Sequence, residues 1–226
     1  HSAGAHLASL AALTTADDIW VRAFKSRLAT PLLPAVAADL PDWLWERLGT
    51  AYGDAERAAL AHAWLCAAPL DLRINPLKTT RNEARAALAA SGIAAEPTPY
   101  SPLGLRVAGR PALARHPLFI AGAIEVQDEG SQLVGFLVAP KRTDMVVDFC
   151  AGAGGKTLLL GALMRSQGRL YAFDTHDRRL ANLKPRLARS GLSNVHPQWL
   201  AHERDTKIKR LAGKIDRVLV DAPCTG

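Results

Sequence analysis

Between Asp148 and Thr157 the sequence reads DFCAGAGGKT, placing an acidic residue, a cysteine, three glycines and a lysine–threonine pair within ten positions. Glycine clusters let backbone N–H groups approach a ligand, because residues without a Cβ adopt conformations that others avoid. Two phosphate-binding patterns come near and both fail. The triphosphate loop needs a glycine five positions before the glycine of Gly-Lys-Thr, and that place holds Cys150. The dinucleotide fingerprint begins with Gly152 and Gly154, but Thr157 stands where its third glycine belongs. A permissive backbone remains, without the phosphate geometry.

Carboxylates bracket this loop. Asp148 precedes it, and Asp174 closes the next hydrophobic run, YAFD, where an acidic side chain can accept from two ribose hydroxyls. Acidic residue, glycine loop and acidic residue suit a nucleoside that carries an amino acid in place of phosphates. S-adenosylmethionine is such a ligand, with a sulfonium, an ammonium and two hydroxyls for carboxylates and backbone groups to serve. The competing reading is a helix-capping turn with surface aspartates. A third candidate group lies in RVLVDAPC, where a compact apolar run ends in Asp221 and Pro223 stiffens the backbone before Cys224. A lone cysteine is commonly an inert buried thiol. One delivered to the ligand edge of a sheet is a candidate reactive group.

The elements that must position these residues follow from periodicity. From about residue 123 onward strands and helices alternate: MVVDF, the helix KTLLLGALMRSQ ended by Gly168, RLYAFD, the helix HDRRLANLKPRLARS ended by Gly191, a weaker strand near NVHPQWL, and DRVLVD. Continuous apolar strands joined by helices predict a parallel, doubly wound, Rossmann-like α/β domain over 123–226, with its ligand at the carboxyl ends of the strands. Upstream, LDLRIN and GLRVAG read as strands. Between them, Thr80 and Glu83 form a capping box for a helix closed by Gly92, which predicts a small α+β module over 67–122. Residues 1–66 are rich in alanine and leucine and are punctuated by Pro31, Pro34 and Pro41, so several short helices are expected there. Their tryptophans, Trp20, Trp43, Trp45 and Trp64, sit within apolar periodic runs and are expected to anchor a core.

Composition bounds the function. At 226 residues and 49% hydrophobic, the chain can bury a real core, yet no apolar run approaches the ~18 residues of a membrane span. No basic-then-apolar leader is visible, so a cytoplasmic protein is expected, and nothing in the sequence points beyond a monomer. The three cysteines, Cys66, Cys150 and Cys224, are too scattered for a disulfide framework or a zinc site, so no metal is expected. The net charge of +7, carried by arginine more than lysine, fits either a solvated basic surface or attraction to a polyanion. The chain opens His1-Ser2 without methionine and stops at Gly226 directly after a strand and a turn, as expected of a fragment.

Taken together, DFCAGAGGKT, YAFDTHDRRL, DRVLVDAPCTG and VQDEGSQL (Val126 to Leu133) resemble the Sun/Nop family of RNA cytosine-C5 methyltransferases, over roughly residues 41–226. The resemblance implies that Cys150, Ala151, Gly152, Ala153, Gly154, Gly155 and Lys156 wrap the methionine part of S-adenosylmethionine and that Asp174 holds the ribose. It places Asp221 near the methyl group and the target base. An acidic residue on the adenine side falls in WLAHERD, where spacing favours Glu203 over Asp205. The small module resembles the family's RNA-recognition-like domain, which implies RNA contacts, with 16S ribosomal RNA as the substrate. In this family two cysteines divide the work: the one in Asp-Ala-Pro-Cys, here Cys224, assists release, and one in a downstream Thr-Cys-Ser motif attacks cytosine C6. This chain contains no Thr-Cys-Ser, so as given it is expected to be inactive. DNA cytosine methylases attack with a Pro-Cys cysteine, which leaves direct attack by Cys224 as a second role. The alternative function is a non-catalytic RNA-binding or ribosome-assembly protein that keeps the fold.

Overall fold

Proline and glycine positions set the first breaks in the chain. The computed structural model describes residues 14–28 and 31–222, and the chain divides between Ala68 and Pro69 into two compact units. In the first unit the described residues form helices α1 (Thr15–Leu28), α2 (Pro34–Ala37), α3 (Asp42–Gly49) and α4 (Asp54–Leu65). Short helices between prolines were expected. A tryptophan core was not found: Trp20, Trp43 and Trp64 are 65%, 65% and 53% exposed. Helical periodicity aligns side chains on one face, as Trp20 stacks on Phe24 one turn later, but does not supply a partner for that face. Trp45 alone is half-buried, with the Arg57 guanidinium 4.0 Å from its ring centroid.

The second unit carries two sheets. The first is antiparallel, in the order β2-β3-β1-β4, from β1 (Leu70–Ile74), β2 (Ala95–Pro97), β3 (Gly104–Val107) and β4 (Ile124–Val126). Leu72, Ile74, Leu105, Val107 and Ile124 turn one face of it toward Ala84 and Leu88 of α5 (Arg81–Ala90). The capping box is present: Glu83 N–H donates to the Thr80 hydroxyl at 3.3 Å, and Thr80 N–H to the Glu83 carboxylate at 2.8 Å. Strand β4 lies past residue 122, because Leu72, Arg73 and Ile74 pair with Val126, Glu125 and Ile124.

The stretch VQDEGSQL stitches the two sheets together. After the short helix α6 (Pro117–Ile120) and β4, Asp128 caps α7 (Glu129–Val138) by accepting from Ser131 N–H at 3.2 Å. Glu129 accepts from the N–H groups of Tyr100 and Ser101, and Gln132 donates to the carbonyls of Gln127 and Leu72.

The second sheet is parallel, in the order β7-β6-β5-β8, built from β5 (Met145–Asp148), β6 (Arg169–Asp174), β7 (Val195–Trp199) and β8 (Arg217–Leu219). Its crossovers include α8 (Gly155–Leu163), α9 (Asp177–Ser190) and α10 (Thr206–Lys209). Successive side chains on a strand point to opposite faces, and both faces are used. Val146, Leu170, Ala172, Val195 and Leu219 pack against Leu158, Leu160, Leu180 and Leu183. Val147 and Phe173 pack against Leu200, Ile208, Leu211 and Ile215. No helix among the described residues is long and apolar enough to cross a membrane.

Candidate functional site

The strand order reverses at β5, whose neighbours β6 and β8 lie on either side, and in such sheets ligands bind beyond the carboxyl ends of the strands at that point. Register sets out the acidic groups there. Asp148 lies level with Ala172 on β6 and Leu219 on β8, so Asp174 and Asp221 each stand two residues further out on either flank. The central carboxylate is recessed and the other two form the rim.

The glycine loop turns between them. Gly152 and Gly154 have φ of 54° and 83°, left-handed values that a residue with a Cβ rarely adopts. At Gly154 a Cβ would also meet Leu183 Cδ1 at 2.1 Å, so any other residue there would be strained and would have to displace Leu183. Asp174 fixes the turn, accepting from Gly152 N–H on one oxygen and from His176 N–H on the other, each at 2.7 Å. A carboxylate has about four acceptor positions, so roughly two remain for a ligand.

A cavity of about 400 Å³ opens beside this turn, lined by Cys150, Gly152, Asp174, Arg179, Glu203 and Asp221 among others. A smaller one of about 210 Å³ adjoins it, with Gln127, Asp128, Ser131, Asp148, Gly155 and Lys156 in its wall. Cys150, Ala151 and Asp221 line both. Ala153 and Gly154 line neither. The Ala153 carbonyl accepts from Arg186 at 2.7 Å, and Gly154 packs on Leu183. Asp205 is occupied as the cap of α10, accepting from Lys207 N–H at 2.9 Å and Ala201 N–H at 3.2 Å, whereas Glu203 lines the larger cavity. Cys224 lies outside the described residues.

The electrostatics favour a cation. Lys156 pairs with Asp221 at 2.5 Å and reaches over the recess. Burial pushes the Cys150 thiol up, and the charges of Asp174, Asp148 and Asp221 push it further, so Cys150 is a neutral wall of the site. Burial likewise pushes Asp148 up to about 6, against the Thr157 hydroxyl that donates to it at 2.6 Å and the nearby Lys156 charge. Its second oxygen is buried without a well-formed hydrogen bond among the described residues, a setting that suits a donor such as an ammonium. Recessed carboxylate, left-handed turn and rim carboxylate thus fit the groups of S-adenosylmethionine. Among the described residues no cluster of His, Cys, Asp or Glu is placed to hold a metal ion.

Asp148 gives a pH signature. Its proton is held more tightly in the folded chain than at the ordinary 3.8, so stability present below about pH 4 is lost as pH rises through about 6. Asp148→Asn keeps an acceptor for Thr157 and removes the buried charge. The variant is expected to be more stable than wild type by roughly 2 kcal/mol at pH 7.5, with the advantage gone at pH 4. Paired thermal melts across that range check it, and a pH-independent difference would refute the buried-charge account.

Sequence reading missed two groups. Gln127, Asp128 and Ser131 belong to VQDEGSQL, which was recognisable as a pattern without any sign that it walls a cavity. Buried Arg73 and Glu125, with half-buried Arg186 and Arg189 paired to Glu125, form a charged cluster beside the loop, assembled from positions far apart in sequence. The cluster also bears on the small module. The centre of its second sheet face, with Asp71, Arg73 and Glu125 each at most 3% exposed, is buried.

Comparison with known proteins gives two family models in succession. Residues 40–113 match the RsmF/B-like ferredoxin-like domain, and residues 135–226 match the 16S rRNA methyltransferase RsmB/F. The "Probable ribosomal RNA small subunit methyltransferase B" of Synechocystis sp. is 36% identical over 187 residues, which is 82% of this chain and 42% of that protein. The human 28S rRNA (cytosine(4447)-C(5))-methyltransferase is 32% identical over 160 residues, 70% of this chain and 19% of that protein. The chain therefore spans about two fifths or less of these relatives. A crystal structure of a methyltransferase homologue from Pyrococcus horikoshii superposes with a TM-score of 0.75 at 29% identity, covering 85% of this chain and 62% of that one.

Proposed function

Since the chain belongs to the Sun/Nop family of methyltransferases, on its RsmB/F branch, we propose that it is the cofactor-binding part of an enzyme that methylates cytosine C5 in 16S ribosomal RNA. The observation that carries this reading is the placement of Asp148, Asp174 and Asp221 around two adjoining cavities, Asp174 in the larger, Asp148 in the smaller and Asp221 in both, beside a left-handed glycine turn. Asp174 takes the ribose hydroxyls on its remaining acceptor positions and Glu203 serves the adenine side. Cys150 to Lys156 hold the aminoacyl end, and Asp148 meets its ammonium. When bound, S-adenosylmethionine supplies a methyl group activated by the sulfonium charge.

The cytosine side needs a nucleophile, because C5 is unreactive until a thiolate adds to C6. That thiolate belongs to a Thr-Cys-Ser cysteine, a motif that these 226 residues do not contain. Addition makes C5 electron-rich enough to take the methyl. A base then removes the C5 proton, and the thiolate departs as the C5–C6 double bond reforms. Cys224 assists that release. Asp221, held at the rim by Lys156, faces the base.

The test is the full-length protein incubated with S-adenosylmethionine and small-subunit ribosomal RNA, read by mass spectrometry of the nucleosides. 5-Methylcytosine at a single position supports the reading, whereas RNA binding without methylation favours an assembly factor. Binding should also fall at least roughly tenfold between 50 and 200 mM salt, through counterion release from the basic surface. Filter binding across that range measures it, and salt-independent binding would assign the charge to solvation alone.

A further inference from the structure

Two arginines that the chemistry does not use reach the glycine loop from behind. Arg73, on β1 of the small sheet, is 3% exposed and donates from one nitrogen to the Gly155 carbonyl and the Gln127 side chain, both at 2.6 Å. Arg186, on α9, donates to the Ala153 carbonyl at 2.7 Å. Its other nitrogens bind one oxygen of Glu125 on β4 at 3.1 and 2.9 Å, while Arg189 binds the second oxygen at 3.1 and 2.6 Å. The two loop carbonyls flank Gly154, the residue on which the loop turns into α8.

A buried ionic cluster is a weak way to join two sheets, since apolar side chains of the same volume often do it as well or better. Apolar side chains cannot, however, aim donors at two chosen carbonyls. Each peptide unit is planar, so fixing the carbonyls of Ala153 and Gly155 fixes the N–H groups that follow them. Glycine has no side chain to hold such a turn in one conformation, and an outside constraint replaces it. Arg73 and Glu125 stand on the small sheet and Arg186 on the parallel-sheet side, so the constraint spans both sheets of the unit.

We propose that Arg73, beside Gln127, and Arg186, oriented by Glu125, are positioning residues for the glycine loop, through which the small module sets the affinity of the cavity for S-adenosylmethionine. This rests on the cofactor reading given above. The test uses the 226-residue chain with Arg73→Met, Arg186→Met, Arg73→Lys and the milder Glu125→Gln. Hydrogen–deuterium exchange of a peptide covering 150–157 is compared, without ligand, with peptides from β6 and α5. Affinity for S-adenosylmethionine is measured by calorimetry.

In both methionine variants the loop peptide should exchange at least roughly tenfold faster while the reference peptides keep wild-type rates, and affinity should fall at least roughly tenfold. Arg73→Lys should recover part of both effects, because one ammonium can still reach a carbonyl. Glu125→Gln should give a smaller change of the same sign, and decides the matter if a methionine variant does not fold. A merely structural cluster would speed exchange in all three peptides alike, or leave the loop unchanged in folded variants, and either result overturns the proposal. Failure of the wild-type chain to bind S-adenosylmethionine would instead count against the cofactor reading, and the ligand-free exchange would still decide the role of the arginines.

Discussion

Asp174→Ala is expected to weaken S-adenosylmethionine binding by about 2 kcal/mol or more, close to thirtyfold, because charge-assisted hydrogen bonds are lost from an almost buried carboxylate. Two losses combine. The ribose hydroxyls lose their acceptor, and the N–H groups of Gly152 and His176 lose the oxygens that hold the turn. They separate in a double-mutant cycle with an S-adenosylhomocysteine analogue that lacks one ribose hydroxyl. In wild type the missing hydroxyl should cost affinity, and in Asp174→Ala the two ligands should bind alike. Asp174→Asn, which keeps one carbonyl oxygen, should fall between. Unchanged affinity in the alanine variant would remove the ribose from this edge of the sheet.

The fold behind that prediction was legible where local pattern and tertiary role coincide. RLYAFD appears as strand β6 over its full length and MVVDF as β5 beside it, because apolar runs bounded by turns state their own burial, and the RVL of DRVLVD pairs on the other side of β5 as β8. Strand β4 escaped because it is three residues long and exists only by pairing with β1, some fifty positions earlier. The tryptophans misled for the opposite reason. Periodicity was real in the first unit, but what covers a helix face is not written in that helix. Between Glu203 and Asp205 the spacing argument favours the former, and the capping role of the latter could have been read in advance. Asp205 directly precedes the turn TKIK, and aspartate is a preferred residue at that capping position. Arg73 gave no local signal. It occupies a polar position in an alternating strand, and such residues ordinarily face solvent. Only the register of two sheets brings it to the Gly155 carbonyl.

Cys224→Ala in the full-length protein is expected to accumulate a covalent protein–RNA adduct, the largest qualitative change any single substitution here should produce. If Cys224 assists release, the downstream cysteine still adds to cytosine C6 and the methyl is still transferred, but the final elimination stalls. If Cys224 is itself the nucleophile, the same variant forms no adduct. A denaturing gel after incubation with RNA and S-adenosylmethionine separates the two: a shifted, nuclease-sensitive band means release, and its absence means attack. Cys150 belongs in the same experiment as a control. Its thiol is pushed up by burial and by three aspartates, so it is a poor source of thiolate, and Cys150→Ala added to Cys224→Ala should still give the adduct at saturating cofactor, whatever it costs in cofactor affinity. The 226-residue chain keeps Cys224 and contains no Thr-Cys-Ser cysteine, so it should bind cofactor yet give neither adduct nor methylated RNA. Turnover by that chain would transfer the nucleophile's role to Cys224 and reverse the division of labour argued above.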